Sequence, residues 1–368
     1  MDAARADVIV QHCIIMLVLL AATSTLVSAL SALPSILITD GLAPAALSLL
    51  SASGAKVVQE HFNADALAAG ALAEHDAVII RSATSLSAEA IQSGAAGRLR
   101  VIGRAGVGVD NIDVAAAGAA GCCVLNTPGA STRSVAELTI GHMLAAARGL
   151  QAADAGLKTG LWLKGQIRLG SEGGPVIGHE LAGKRLGILG FGRIGRAVAR
   201  LASALGMEVC AYSRAPDSAK AAAIGVELKP SVAELLSSCT HVVVLCGLSD
   251  ETRGLLDRNK MDLMPQTGAD GTLCGAHLFN MARGGIVVEA DAAAALRDGT
   301  LTAYAADVFE REPPSADNPL LACDGFHGTP HVGAATLEAQ ARVGEILARS
   351  VLAALEGSPP DLGEGRVA

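Results

Sequence analysis

The amino-acid sequence predicts an α/β chain of two domains built on parallel sheets, and three observations carry that prediction. Short apolar runs alternate with helix-spaced stretches from Ser35 onward. One such run, Leu186 to Leu189, passes directly into Gly190-Phe-Gly-Arg-Ile-Gly195 and then into a helical repeat of Val198, Leu201, Ala202 and Leu205. The 368 residues are 51% hydrophobic but only 2% aromatic, which suits two domains with aliphatic cores closed by tight helix–strand packing.

Residues 1–34 precede the pattern. No Asp, Glu, Lys or Arg occurs from Val8 to Thr39, and Ile14 to Ala22, followed by Val27-Ser-Ala29, has the form of a signal segment. A targeting leader is expected there. It points to an organelle, a plastid or another compartment on the secretory route, or to the cytoplasm if the leader is not used. Strands are then expected at Ile36–Ile38, Lys56–Val58, Ala77–Ile80, Val101–Ile102 and Cys122–Leu125. Pro44 suits a first helical position, and Ser134-Val-Ala-Glu137 reads as a capping box opening a helix through Leu144 and Ala147. Beyond the glycine turn, strands are expected at Glu208–Tyr212, His241–Leu245, Leu278–Met281 and Ala303–Asp307. Thr267 to His277 reads as a surface insertion, and the Gly/Pro-rich end after Gly357 as a frayed tail.

The net charge of −8 and the lack of any Lys/Arg run argue against nucleic acid as a partner. Eight cysteines show no CxxC pair, so free thiols and no metal are expected. His61, His75, His142, His179 and His327 lack a chemical context and read as surface or structural. Trp162 reads as packing in a hinge.

Flanked by strand and helix, the glycine turn has a specific meaning. Gly190 permits the tight turn, Gly192 lets backbone approach a pyrophosphate, and Gly195 lets the helix close on the strand, so that the N–H groups of Arg193 and Ile194 face phosphate. An acid that would grip the ribose diol is expected about 20 residues on. The next strand ends instead in Ser213-Arg214, a hydroxyl and a guanidinium that accommodate either a diol or a 2′-phosphate. The choice between NAD and NADP stays open.

Three further polar sites stand out: Asn280-Met-Ala-Arg283-Gly-Gly, Asp307-Val-Phe-Glu-Arg-Glu312-Pro and Thr329-Pro-His331-Val-Gly. Their types suit hydride transfer at a 2-hydroxy or 2-oxo acid. An arginine holds the carboxylate in a bidentate way, a histidine moves the proton, and a carboxylate orients the histidine.

With Ile102-Gly-Arg-Ala-Gly-Val-Gly-Val-Asp-Asn-Ile-Asp113 and Asn126-Thr-Pro-Gly-Ala-Ser-Thr-Arg-Ser-Val-Ala-Glu137, these motifs resemble the D-isomer-specific 2-hydroxyacid dehydrogenases from Ser35 to about Leu355. The resemblance implies a flavodoxin-like substrate domain (35–133 and 325–357), an inserted Rossmann dinucleotide domain (134–324), and a flexible tail (358–368), with the reaction in a cleft between the domains. It implies Arg283, Glu312 and His331 as the catalytic set, and Asp307 against the nicotinamide carboxamide. It places Arg81 and Ser82, with the backbone of Val107 and Gly108, on the substrate side. It further implies a homodimer and a small 2-hydroxy or 2-oxo acid substrate. The nearest match within the family is to members that oxidise 3-phospho-D-glycerate on the way to serine; Arg81, Arg104 and Arg133 are the cations on offer for a phosphate. Reduction of glyoxylate or hydroxypyruvate is the neighbouring alternative, and a dinucleotide-sensing corepressor-like binder the alternative of another class. Formate oxidation is disfavoured, because members with that activity carry Gln at the position of Glu312. Gly247 replaces a usual proline and is expected to loosen its loop. No regulatory domain is expected after 357.

Overall fold

The computed structural model describes residues 33–164, 178–360 and 365–368. The expected leader and the Gly-rich passage after Lys164 fall almost wholly outside the described residues. The chain divides into two compact units, 1–128 with 341–368, and 129–340.

Each unit is organised by one parallel sheet. In the first, β1 (Ser35–Ile38), β2 (Lys56–Gln59), β3 (Ala77–Ile80), β4 (Val101–Arg104) and β5 (Cys123–Leu125) lie in the order β2-β1-β3-β4-β5. That is the flavodoxin-like order, with its switch point between β1 and β3. These strands are nearly continuous apolar runs because helices cover both faces of a parallel sheet. The helix Leu337–Leu355 covers one face so closely that a Cβ on Gly103 would come within 3.0 Å of Val351 Cγ2.

The second sheet contains β6 (Arg185–Leu189), β7 (Glu208–Tyr212), β8 (Glu227–Leu228), β9 (His241–Val244), β10 (His277–Asn280), β11 (Ala303–Ala306) and β12 (Phe326–Gly328). Their order, β12-β11-β10-β9-β6-β7-β8, is the dinucleotide-binding arrangement with one strand added beyond the sixth. Val198, Ala199 and Ala202 of the helix Arg193–Ala204 bury one face, and Leu235, Ala292, Ala293 and Leu296 the other. β8 and β12 were not foreseen; at two and three residues on the sheet's edges, they carry little apolar pattern.

Several expectations need correction. The helix over the predicted capping box is Thr132–Arg148, so Ser134 lies inside it, buried and bonded to Thr336 Oγ1 at 2.9 Å. The return to the first unit falls at 341 rather than 325. The tail is not frayed at its end. Val367 N donates to Val124 O at 2.7 Å, and Val124 N to Ala368 O at 3.0 Å, closing the open edge of β5 with an antiparallel bridge. The 267–277 segment is only partly a surface insertion: Cys274 and Ala276 are buried, and Asp270 turns back to accept from the buried Lys184 at 2.7 Å. Trp162, expected to be packed, is three-quarters exposed among the described residues. In the Gly247 loop, Thr252 Oγ1 donates to Gly247 O at 2.8 Å. Among the described residues, no helix is long and apolar enough to cross a membrane.

Candidate active site

Every residue of the predicted catalytic and cofactor sets belongs to the second unit, and each follows the carboxyl end of a strand. After β6, Gly190 takes φ +107, and a Cβ there would lie 2.5 Å from the Cys246 backbone nitrogen, so only glycine lets this turn pass the end of β9. A Cβ on Gly195 would strike the Gly190 carbonyl oxygen at 2.4 Å, which is the helix–strand closeness the motif implied. Gly192 differs. A Cβ there would find no atom within 4 Å, and no side chain caps the Arg193–Ala204 helix behind it. Space and leading N–H groups at one point fit a dinucleotide pyrophosphate. When bound, such a cofactor supplies a nicotinamide that exchanges hydride.

The arginine site is built by an asparagine. Asn280, buried at the end of β10, accepts from Ala282 N at 3.2 Å and donates to Arg283 O at 3.0 Å, folding the backbone back on itself. A Cβ on Gly284 would fall 1.7 Å from the Phe309 carbonyl oxygen, so this glycine seats the Arg283 loop against the segment leading to Glu312.

After β11, Asp307 organises the histidine loop. Its carboxylate accepts from Thr329 Oγ1 at 2.6 Å, Val332 N at 2.8 Å and Gly333 N at 2.8 Å, while His331 N donates to its carbonyl at 2.8 Å. These bonds hold His331 at φ +52, the one non-glycine residue in the left-handed region among those described. His142 Nε2 lies 3.1 Å from Thr329 Oγ1. Because that hydroxyl donates to Asp307, His142 donates to it.

The catalytic pair then meets. His331 Nδ1 lies 2.7 Å from Glu312 Oε2, and Glu312 Oε1 accepts from Phe309 N at 3.1 Å. Burial pushes the Glu312 carboxyl up, but the bond and charge of His331, the Phe309 N–H and the Arg283 charge outweigh it and hold the carboxyl below its usual range. The carboxylate occupies Nδ1, so Nε2 is the nitrogen left to exchange a proton. Both side chains are about a third exposed, open enough to meet a small ligand.

Ser213, partly buried, and exposed Arg214 follow β7, and Arg214 is ion-paired with Glu251. Glu251 was missed because it comes from the loop after β9, remote in sequence.

The predicted substrate-side residues lie in the first unit. Asp40, just after β1, accepts from Arg81 N at 2.7 Å and from Thr84 Oγ1 at 2.7 Å, while Asn111 Nδ2 donates to Arg81 O at 2.7 Å and Thr84 O at 2.6 Å. The Arg81-Ser82 loop is thus pinned at that sheet's switch point. Asn126 Nδ2 holds Val107 O at 2.7 Å, and Thr127 N donates to Gly106 O at 2.9 Å, fixing the backbone leading into Gly108. Arg104 ends β4 as the register partner of Ile80, the residue before Arg81. Arg133, in the second unit, pairs with Glu137 instead. Asp40, Asn111, Asn280 and Thr329 were not singled out as positioning residues. Each is a polar residue just beyond an apolar strand or within a recognised motif, which is the signal that marks them.

Comparison with known proteins agrees with this geometry. Residues 140–333 match the family described as D-isomer specific 2-hydroxyacid dehydrogenase, NAD binding domain. A D-3-phosphoglycerate dehydrogenase of Methanocaldococcus jannaschii is 40% identical over 322 residues, 88% of this chain and 57% of that protein. Among solved structures, the TT0316 protein of Thermus thermophilus is 32% identical with a TM-score of 0.77, covering 91% of this chain and all of that one. A glyoxylate reductase from Paecilomyes thermophila is 25% identical with a TM-score of 0.78, covering 91% of this chain and 98% of that one. The chain belongs to the D-isomer-specific 2-hydroxyacid dehydrogenase family. It spans between half and three-fifths of the length of the first curated relatives it matches.

Proposed function

We propose that this protein oxidises the C2 hydroxyl of a D-2-hydroxy acid with NAD, and that the acid is 3-phospho-D-glycerate, giving 3-phosphohydroxypyruvate. The bond between His331 Nδ1 and Glu312 carries the reading. In the proposed step His331 Nε2 takes the hydroxyl proton as hydride leaves C2, Glu312 steadies the imidazolium that forms, and Arg283 holds the carboxylate. The phosphate is argued from the name of the M. jannaschii relative and from Arg81 and Arg104, two cations at the carboxyl ends of the neighbouring strands β3 and β4. The test is kcat/KM for phosphoglycerate, hydroxypyruvate and glyoxylate with each dinucleotide. Negligible turnover of the phosphorylated pair with brisk reduction of the other two would overturn the substrate.

NAD is favoured over NADP because a 2′-phosphate must displace Glu251 from Arg214 and then lie beside a carboxylate. Glu251→Gln should narrow the NAD preference by several-fold; an unchanged ratio would remove that argument. A homodimer is proposed through exposed Leu150, Leu157, Leu161 and Trp162 on and after the helix Leu150–Lys158. Leu157→Asp should then halve the mass seen by light scattering. The organelle destination is read from residues 1–34 alone, and the mature N-terminus measured by mass spectrometry tests it.

A further inference from the structure

At the amino ends of the same strands lies a second histidine cluster that the proposed reaction does not use. His241 opens β9 and His277 opens β10; the two are register partners and both are fully buried. His179, on the partly exposed segment leading toward β6, closes the group, its Nε2 3.1 Å from His241 Nε2. One ligand nitrogen from each ring lies within 4.8 Å of the others.

The protonation pattern makes this more than a packed trio. His277 Nε2 lies 2.9 Å from the Cys274 carbonyl, which only accepts, so the ring proton sits on Nε2 and Nδ1 carries a bare lone pair. That Nδ1 is buried with no hydrogen-bond partner. A lone pair stranded in the interior is costly, and a ligand that accepts it removes the cost. Thr240 Oγ1 sits 3.0 Å from His241 Nδ1, so a proton there leaves Nε2 as the donor nitrogen, steadied by an outer partner. The nearest full charges, Lys184 and Asp270, neutralise each other in an ion pair at 2.7 Å.

We propose that His179, His241 and His277 bind one divalent first-row transition ion, of which zinc is the representative, with solvent in the fourth position. Neutral imidazole nitrogens are the donors such ions favour, and three histidines leave one tetrahedral place. Bonds of 2.0–2.1 Å put tetrahedral nitrogens about 3.3 Å apart, near the 3.1 Å already between His179 and His241. His277 must adjust. Its ring stacks on His241 at 4.5 Å and 9° from parallel, so one ion cannot lie in both ring planes until the His277 ring turns about Cβ–Cγ. The ion would tie the segment entering β6 to the base of the sheet, on the end opposite the Gly190 turn. It would act on stability, not on hydride transfer.

The test uses the whole protein, stripped with chelator and titrated with zinc and with cobalt. Expected are one ion per chain, the visible bands of tetrahedral cobalt, and a melting temperature that rises with zinc. His179→Asn and His277→Gln should each weaken binding at least about tenfold and abolish the melting shift. If His277→Gln fails to fold, the imidazole nitrogen NMR spectrum of the unaltered protein decides, since Nδ1 of His277 must move on adding zinc. Absence of saturable binding, affinity unchanged in both variants, loss confined to His179→Asn, or a stationary His277 Nδ1 would each overturn the site.

Discussion

The two ends of the second sheet both gather histidines, and they treat them in opposite ways. At the carboxyl ends His331 is about a third exposed and bonded to a carboxylate. At the amino ends His241 and His277 are fully buried, and their ring partners are a hydroxyl, a carbonyl and a neutral imidazole. Burial pulls His277 down to about 3, and burial with the Lys184 charge, which outweighs Asp270, pulls His179 to about 4. A ring beside a carboxylate can gain and lose a proton in place; a ring in an apolar interior stays neutral. Chemistry is therefore expected only at the carboxyl end, and a histidine's exposure and partner, not its identity, decide its use.

The strongest way to break that contrast is to replace the exposed histidine. His331→Asn keeps a residue tolerant of φ +52 while removing the base, and should lower kcat by about 10²–10⁴-fold with little change in melting temperature. If kcat survives, the carboxyl-end cluster is ornamental. Thr329→Val comes next. It removes a charge-assisted bond to Asp307 and the seat of His142, costing about 1.5–3 kcal/mol. Because Asp307 holds the His331 loop, kcat should fall with KM for dinucleotide moving less; a purely structural bond would leave both unchanged in the folded fraction. Within the glycine turn, Gly190→Ala should cost stability by about 1–3 kcal/mol, read in denaturant melts, from its clash and positive φ. Gly192→Ala, facing open space, should leave melting alone and weaken dinucleotide binding instead.

How much of this was legible in the sequence follows the range of each interaction. The Gly190 turn, Arg283, Glu312 and His331 were readable because each sits directly after an apolar strand or in a compact motif, so local pattern and chemistry coincide. The pairing of His331 with Glu312 was expected from residue type, and the structure supplies the atoms. What escaped was long-range. Glu251 reaches Arg214 only because β7 and β9 flank β6 on either side. The tail closes β5 through backbone bonds, which carry no side-chain signature. His179, His241 and His277 meet because β9 and β10 are neighbours in register, and His179 was read as surface or structural for want of any short ligand spacing.

The subtlest test sharpens the contrast by titration. His277 titrates near 3 in the fold, mainly through burial and then through neighbouring His179, against 6.5 when free. Between those values the unfolded chain holds the proton and the folded one does not. Stability from this group is therefore intact above about 6.5 and drains away as pH falls toward 3. His277→Gln retains a donor for the Cys274 carbonyl but takes up no proton on unfolding. In chelator, its stability measured by denaturant between pH 6 and pH 4.5 should fall less steeply than that of the parent, by about 1.4 kcal/mol per pH unit. Equal slopes would mean that His277 already carries its proton in the folded chain. The amino end would then resemble the carboxyl end, and the distinction between a buried neutral cluster and an exposed working one would fail.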